Sequence, residues 1–262
     1  MMEDILIDYE DKPELDKPIF IEGLPGVGNV GKLAVEHLMD EVGMELMAEI
    51  NSIYFPPQVL VNEDGITHLV NNRLYYGKNI GEDERDIIIL TGDYQGMTPQ
   101  GQYKLTDKML SIAKEYDSEM LISLGGYGQG EMVEEHRVLG AATNSDMVEE
   151  MKEYGVVFSK EHPSSGIVGA SGLLMGLGDK LYNMDGICLM GETSGYFVDP
   201  GAARAVLEIL IDYLKIEDID FEALDDKAEE VENLANKVMD LDMGTGTGVK
   251  QDADKDDLRY IG

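Results

Sequence analysis

Gly23-Leu-Pro-Gly-Val-Gly-Asn-Val-Gly-Lys32 follows the apolar run Pro18-Ile-Phe-Ile-Glu22 and precedes a helical pattern. Its reading decides the fold. As G-x-G-x-x-G, the glycines are Gly26, Gly28 and Gly31, placed after a strand and ahead of a helix as a dinucleotide fold requires. The acidic residue such a fold needs about 20 positions on has Glu49 as its nearest candidate. As a P-loop, Gly26, Gly31 and Lys32 fit, but Leu33 stands where a Ser or Thr holds magnesium. A third reading needs no ligand, because a tight strand-to-helix turn also requires glycine where φ is positive. Gly26, Gly28, Asn29, Gly31 and Lys32 are therefore the candidate anion-binding loop. The helix behind it is supported by Val30, Leu33, Ala34, Leu38 and Val42, which recur on one 3.6-residue face.

From there to about residue 215, short apolar runs alternate with helical patterns, which predicts an α/β fold with a mostly parallel central sheet flanked by helices. The expected strands are 19–21, 46–50, 66–70, 87–90, 120–124, 156–158 and 187–190. The expected helices are 30–42, about 102–116, 144–154 and 202–214. Ile87-Ile-Ile-Leu90 reads as a strand buried on both faces. Pro200 suits the first turn of the last helix, with Asp199 as its cap.

Three strands run straight into glycine and polar residues, at Leu90-Thr-Gly-Asp93, Leu124-Gly-Gly-Tyr-Gly-Gln129 and Met190-Gly-Glu-Thr-Ser-Gly195. Ligands of open parallel sheets bind outside the carboxyl ends of the strands, so Asp93, Tyr127, Glu192 and Thr193 are expected to converge in one crevice. The competing reading is that short strand-to-helix loops need glycine and a cap in any case.

The chain divides into a core over residues 1–219, an acidic amphipathic helix over 220–243 and a flexible acidic tail over 244–262. In the second part Leu224, Ala228, Val231, Ala235 and Val238 alternate spacings of four and three. The tail passes through Gly244-Thr-Gly-Thr-Gly248 and ends in Leu258-Arg-Tyr-Ile-Gly262, an apolar end on a polar tether.

Composition excludes several function classes. With 53 acidic and 20 basic residues among 262, the formal charge is −33, which repels phosphate backbones and anionic membranes. Nucleic acid and membrane are not expected partners. The spread of charge along the chain fits a surface adapted to a salty interior. No stretch approaches a membrane span, the N-terminus lacks the pattern of a signal peptide, and one cysteine, Cys188, builds no disulfide framework. A cytoplasmic location is expected. The four histidines show no paired ligand spacing, so neither a metal nor a cofactor is expected. Gly169-Ala-Ser-Gly172 begins like a nucleophile elbow, but Leu173 replaces its final glycine. No catalytic constellation emerges.

The ordered series of motifs resembles the archaeal members of the proteasome assembly chaperone family. It consists of Gly23 to Gly31, Phe55-Pro-Pro-Gln58, Thr91-Gly-Asp-Tyr-Gln95, Leu124-Gly-Gly-Tyr-Gly128, Arg137 to Asn144, Gly166-Ile-Val-Gly-Ala-Ser-Gly172 and Gly191-Glu-Thr-Ser-Gly-Tyr196. The resemblance spans about residues 15–240. It implies an oligomeric α/β domain with a three-layer architecture related to nucleoside phosphorylases and without established catalysis. It also implies binding to proteasome α subunits, in some members through a C-terminal hydrophobic, tyrosine, any-residue signature. Leu258, Tyr260 and Ile261 are of the right kinds, although Tyr260 is third from the end and Arg259 precedes it. The expected function is thus a non-enzymatic, homo-oligomeric interaction protein whose partner is the proteasome or a paralogue of the same family. The alternative is a nucleotide- or phosphate-binding enzyme that uses the glycine loop and the crevice.

Overall fold

Ile87, Ile88, Ile89 and Leu90 are all buried, and alternate members face opposite sides because strand side chains alternate. Ile87 and Ile89 pack with one hydrophobic cluster and Ile88 and Leu90 with another, so helices must cover both faces. The computed structural model describes residues 3–158 and 166–231, and among these the elements run β1 (Ile5–Tyr9), β2 (Ile19–Glu22), α1 (Val30–Val42), β3 (Glu45–Ser52), β4 (Val59–Val61), β5 (Thr67–Leu69), β6 (Asn72–Ile80), β7 (Arg85–Gly92), α2 (Pro99–Glu115), β8 (Met120–Gly128), β9 (Val138–Ala142), α3 (Ser145–Glu153), α4 (Ala170–Leu177), β10 (Asp185–Thr193) and α5 (Pro200–Leu214). Helices α1, α3 and α5 supply one cluster, and α2 and α4 the other. The result is three layers, helix on sheet on helix.

The sheet has eight strands in the order β1-β3-β6-β7-β2-β8-β10-β9, with β4 and β5 forming a separate two-stranded sheet. Its centre, β7-β2-β8-β10, is parallel, as expected. Both flanks are antiparallel, which corrects the expectation of a mostly parallel sheet. On one side β6 turns back beside β7 without a helical crossover; on the other, β9 follows β8 without a helix, passes beyond the place of β10 and lies antiparallel to it at the sheet edge. These strands escape a reading by apolar runs because β6 is polar at both ends and Val138-Leu-Gly-Ala-Ala142 is built of small residues. Gly140 must be small, since a Cβ there would lie 2.5 Å from Val156 Cγ1. Residues 156–158, expected as a strand, make one parallel bridge, Leu139 to Val157, over that glycine.

The four predicted helices are present, and their caps follow from chemistry. Asp199 Oδ1 accepts from Ala202 N at 2.9 Å with Pro200 in the first turn, as expected. Thr98 and Asn144 cap α2 and α3 in the same way. Helix α4 is an addition to the expected set, because Gly172 and Gly176 lower its apparent propensity. Residues 222–231 are helical, and their start is docked on the core. Leu224 is buried, Phe221 stacks on His37 of α1 at 5.8 Å between centroids, and Arg204 of α5 lies over the Phe221 ring and pairs with Asp225. The remainder of the expected 220–243 helix and the 244–262 tail lie outside the described residues.

Candidate functional site

The crevice predicted from the sequence lies at the carboxyl edge between β2 and β8, where connections leave in opposite directions: α1 leads β2 towards β3, and β8 passes to β9 and β10. Such a switch point is where an open α/β sheet receives ligands. Here the chain's own backbone narrows it. A Cβ on Gly31 would lie 2.0 Å from Leu124 O, and one on Gly126 would lie 2.3 Å from Val27 O. The glycines thus bring the start of α1 into direct backbone contact with β8. Gly28 has φ of 62°, a value that favours glycine, and its carbonyl accepts from Asp199 N at 2.8 Å. Asn29, at φ of 51°, supplies no side-chain cap to α1. The Lys32 ammonium donates to Gly92 O at 2.9 Å and approaches Glu36 at 3.6 Å, so its charge is engaged beside the loop.

Outside the loop a groove of about 540 Å³ remains, lined by Pro25 to Asn29, Gly128, Gly130, Ser194, Gly195 and Tyr196. None of these side chains is charged. An anion there would meet backbone amides and hydroxyls without a cation.

The four crevice residues do not converge as one set. Glu192 pairs in register with Tyr127, so both face the α4 side. Thr193, the next residue, faces the opposite layer, where its Oγ1 lies 3.1 Å from the Cβ position of Gly28. Asp93 follows β7, three strand spacings or about 14 Å from β10. Its carboxylate accepts from Asn71 N at 3.1 Å and so ties the start of β6 to the end of β7. Glu192, 2 % exposed, is held by Arg137 through two bonds of 2.7 and 2.6 Å and by Gln129. His136 Nδ1 is 2.8 Å from Glu192 O, with Nε2 turned to Asp199. This network fastens the loop before β9 to the end of β10 and the cap of α5.

A second carboxylate, absent from the residues expected in the crevice, sits beneath the glycine loop. Glu22 ends β2 fully buried, accepting from Leu24 N at 3.0 Å and from the Ser171 hydroxyl at 2.8 Å, with Ser123 beside it. Burial raises its pKa from 4.5 to about 7, against the opposing effect of these donors. The signal in the sequence is one acid closing an otherwise apolar strand, Ile19-Phe-Ile-Glu22. A serine on a carboxylate is a nucleophile and base in principle. Here the carboxylate is shared among a backbone amide and two hydroxyls, and no strand leads directly into α4, so the arrangement is a pin joining β2, β8 and α4. Gln95 is a similar pin: it donates to Pro25 O and accepts from Ala170 N and Gln102. Burial pushes the Cys188 thiol up, which suits an inert core residue.

Around this narrowed crevice the edge is apolar. Tyr94, Met97, Met132, Val168, Tyr196 and Val198 are exposed on the loops over it. Strand β3 runs parallel to β7 with antiparallel β6 between them, so its carboxyl end opens on the same edge. There Ile53 and the β4–β5 hairpin expose Val59, Val61, Ile66 and Leu69. Among the described residues no group of three or more His, Cys, Asp or Glu is placed to hold a metal, and no helix is long and apolar enough to cross a membrane. Leu258, Tyr260 and Ile261 lie outside the described residues.

Comparison with known proteins bears directly on this arrangement. The PAC2 family model matches residues 20–239. An uncharacterized Methanocaldococcus jannaschii protein, MJ1210, is 38% identical over 97% of this chain and 95% of its own. The crystal structure of Pyrococcus furiosus PbaB, described as an archaeal proteasome activator, is 41% identical with a TM-score of 0.85, covering 91% of this chain and 100% of that one. That of Pyrococcus furiosus PbaA, described as an archaeal homolog of proteasome-assembly chaperone, is 28% identical with a TM-score of 0.73, over 93% of this chain and 94% of that one.

Proposed function

The chain belongs to the PAC2 family, and from that premise we propose that it is a non-enzymatic, cytoplasmic interaction protein acting on the proteasome. It works as a homo-oligomer that contacts proteasome α subunits, or a paralogue of its own family, by surface complementarity. The observation that carries this reading is the switch point, narrowed by backbone contact and without a charged side chain in the groove that remains. Gly31 and Gly126 are used for backbone contact between α1, its loop and β8, and the groove left outside the loop is lined by no charged side chain that could hold an anion or move a proton. The similarity to PbaB, an archaeal proteasome activator, points the interaction towards the proteasome. Residues 1–219 form the body, 220–243 extend it, and 244–262 are the tether that presents Leu258, Tyr260 and Ile261 as an apolar anchor.

The test is comigration with proteasome core particles on a sizing column, full chain against a chain ending at Leu241. The full chain is expected to comigrate and the truncated one to elute alone with an unchanged melting temperature. Equal binding by both forms would remove the tail from the mechanism, and no binding by the full chain would remove the proteasome.

The groove of about 540 Å³ beside Gly26, Gly28 and Asn29 favours one second reading, a nucleotide or phosphate held on the loop amides. A ligand at 100 times its dissociation constant adds about 2.7 kcal/mol to stability. A melting shift of that order with a nucleotide or inorganic phosphate would establish it.

A further inference from the structure

Glu49 and Arg73 are opposite each other across the β3–β6 pair, and the same register continued by two residues sets Asn51 beside Asn71. Strand alternation puts these four on the face opposite Ile50 and Leu74, which pack on the α2 and α4 side. With His68 and Leu69 of β5 they line a pocket of about 320 Å³. That volume is at the small end of the range for small-molecule sites, about 300–1,000 Å³. Such sites are usually apolar, yet of the six lining residues only Leu69 is. A polar ligand is therefore the better fit.

Two features leave hydrogen-bonding capacity inside this pocket. Arg73 Nε stands 3.8 Å from Glu49 Oε1, too far for a hydrogen bond, so both charges keep their bonding capacity. Asn71 is 4 % exposed, and its Oδ1 has no hydrogen-bond partner among the described residues. Buried acceptors are normally paired, so an orphan that belongs to a pocket wall marks a place for a donor.

We propose that this pocket binds a free α-amino acid, its carboxylate on the Arg73 guanidinium and its ammonium between Glu49 and Asn71 Oδ1. Charge balance selects a zwitterion. A simple anion would gain Arg73 and be repelled by Glu49, and a simple cation would meet the reverse. A ligand with both charges on one carbon lies antiparallel to the loose pair and satisfies each member. The planar guanidinium fork suits a carboxylate, and the three donors of an ammonium suit Glu49, Asn71 Oδ1 and the Asn51 amide oxygen. The last residue of a peptide brings a carboxylate and an uncharged N–H, which leaves Glu49 facing a carboxylate without a cation. Because His68 and Leu69 belong to β5, an occupant would also tie the hairpin to the main sheet. The site goes beyond the proteasome reading and does not depend on it.

The experiment is calorimetric titration of the full chain, without core particles, using each of the standard L-amino acids and then its N-acetyl and its carboxamide forms. At least one free amino acid is expected to bind, with each blocked form weaker by ~10-fold or more, since a hydrogen-bonded charge is lost. Hydrogen exchange at residues 67–69 should slow with the same amino acid. These readouts need no variant to fold. Arg73→Gln should weaken the free amino acid at least ~10-fold, and Glu49→Gln should do the same while bringing the N-acetyl form up to equal affinity. A role in folding alone would not change which form is preferred. No binding by any free amino acid, equal binding of the N-acetyl form to the wild type, or wild-type affinity in both variants would each overturn the proposal.

Discussion

Two regions of one sheet edge, the glycine loop at the β2–β8 switch point and the β4–β5 hairpin two strands beyond β7, have opposite relations between sequence and surface. The loop has the residues of a ligand site but is narrowed by its own backbone, with Gly31 against Leu124 O. The hairpin carries no motif at all, yet it leaves Val61 and Leu69 in solvent. The lesson is that glycine spacing reports close approach without saying what approaches. Exposed apolar area reports a missing neighbour more directly.

The sharpest way to break this contrast is at Gly31. A methyl group there meets a main-chain carbonyl that cannot rotate away, so Gly31→Ala is expected to lower stability by about 3 kcal/mol or more in a denaturant titration. A neutral result would mean that the loop is loosely held and that the switch point has room for a ligand.

Next in size is the Glu22 pin. Its carboxyl titrates near 4.5 when unfolded and at about 7 when folded, so between these values the folded state holds more protons. The stability this contributes is fully present below the unfolded value and is lost as pH rises through 7. The expected loss between pH 4.5 and 8 is about 3 kcal/mol, because each pH unit separating the two values contributes about 1.4 kcal/mol, and Glu22→Gln should flatten that slope. A variant that keeps the wild-type slope would place the titration elsewhere.

Arg137→Ala follows. It leaves the buried Glu192 without its bidentate partner, and because the Arg137 side chain is 59 % exposed the expected cost is about 2 kcal/mol by thermal melting. At the other region the effect should vanish. Val61→Ser, on the outer hairpin face, is expected to change the stability of the single chain, measured at high dilution, by less than about 0.5 kcal/mol. A large loss there would show that the face is held within its own chain.

Much of the architecture is legible in the sequence because burial on both faces leaves an unmistakable pattern. Ile87 to Leu90, the helical face from Val30 to Val42 and the Asp199-Pro200 helix start all read directly from residue type. The antiparallel flanks are illegible for a physical reason: β6 is interrupted by polar residues towards both ends, and β9 is kept small by Val156 and Phe158 packing over Gly140. The site is legible in its place and not in its content. Strand ends running into glycine identify the carboxyl edge, but period-two alternation sends Glu192 and Thr193 to opposite layers, and strand order sets Asp93 apart. Glu22 is hidden because an acid at the end of an apolar strand does not announce that Ser171, 149 positions later, will meet it.

The most direct test of the account is hydrogen exchange on the full chain in three states: alone, with proteasome core particles, and with ATP. The account predicts that core particles slow exchange in residues 258–262 and that ATP leaves residues 23–32 unchanged. Protection of residues 23–32 by ATP, with no response anywhere to core particles, would contradict it.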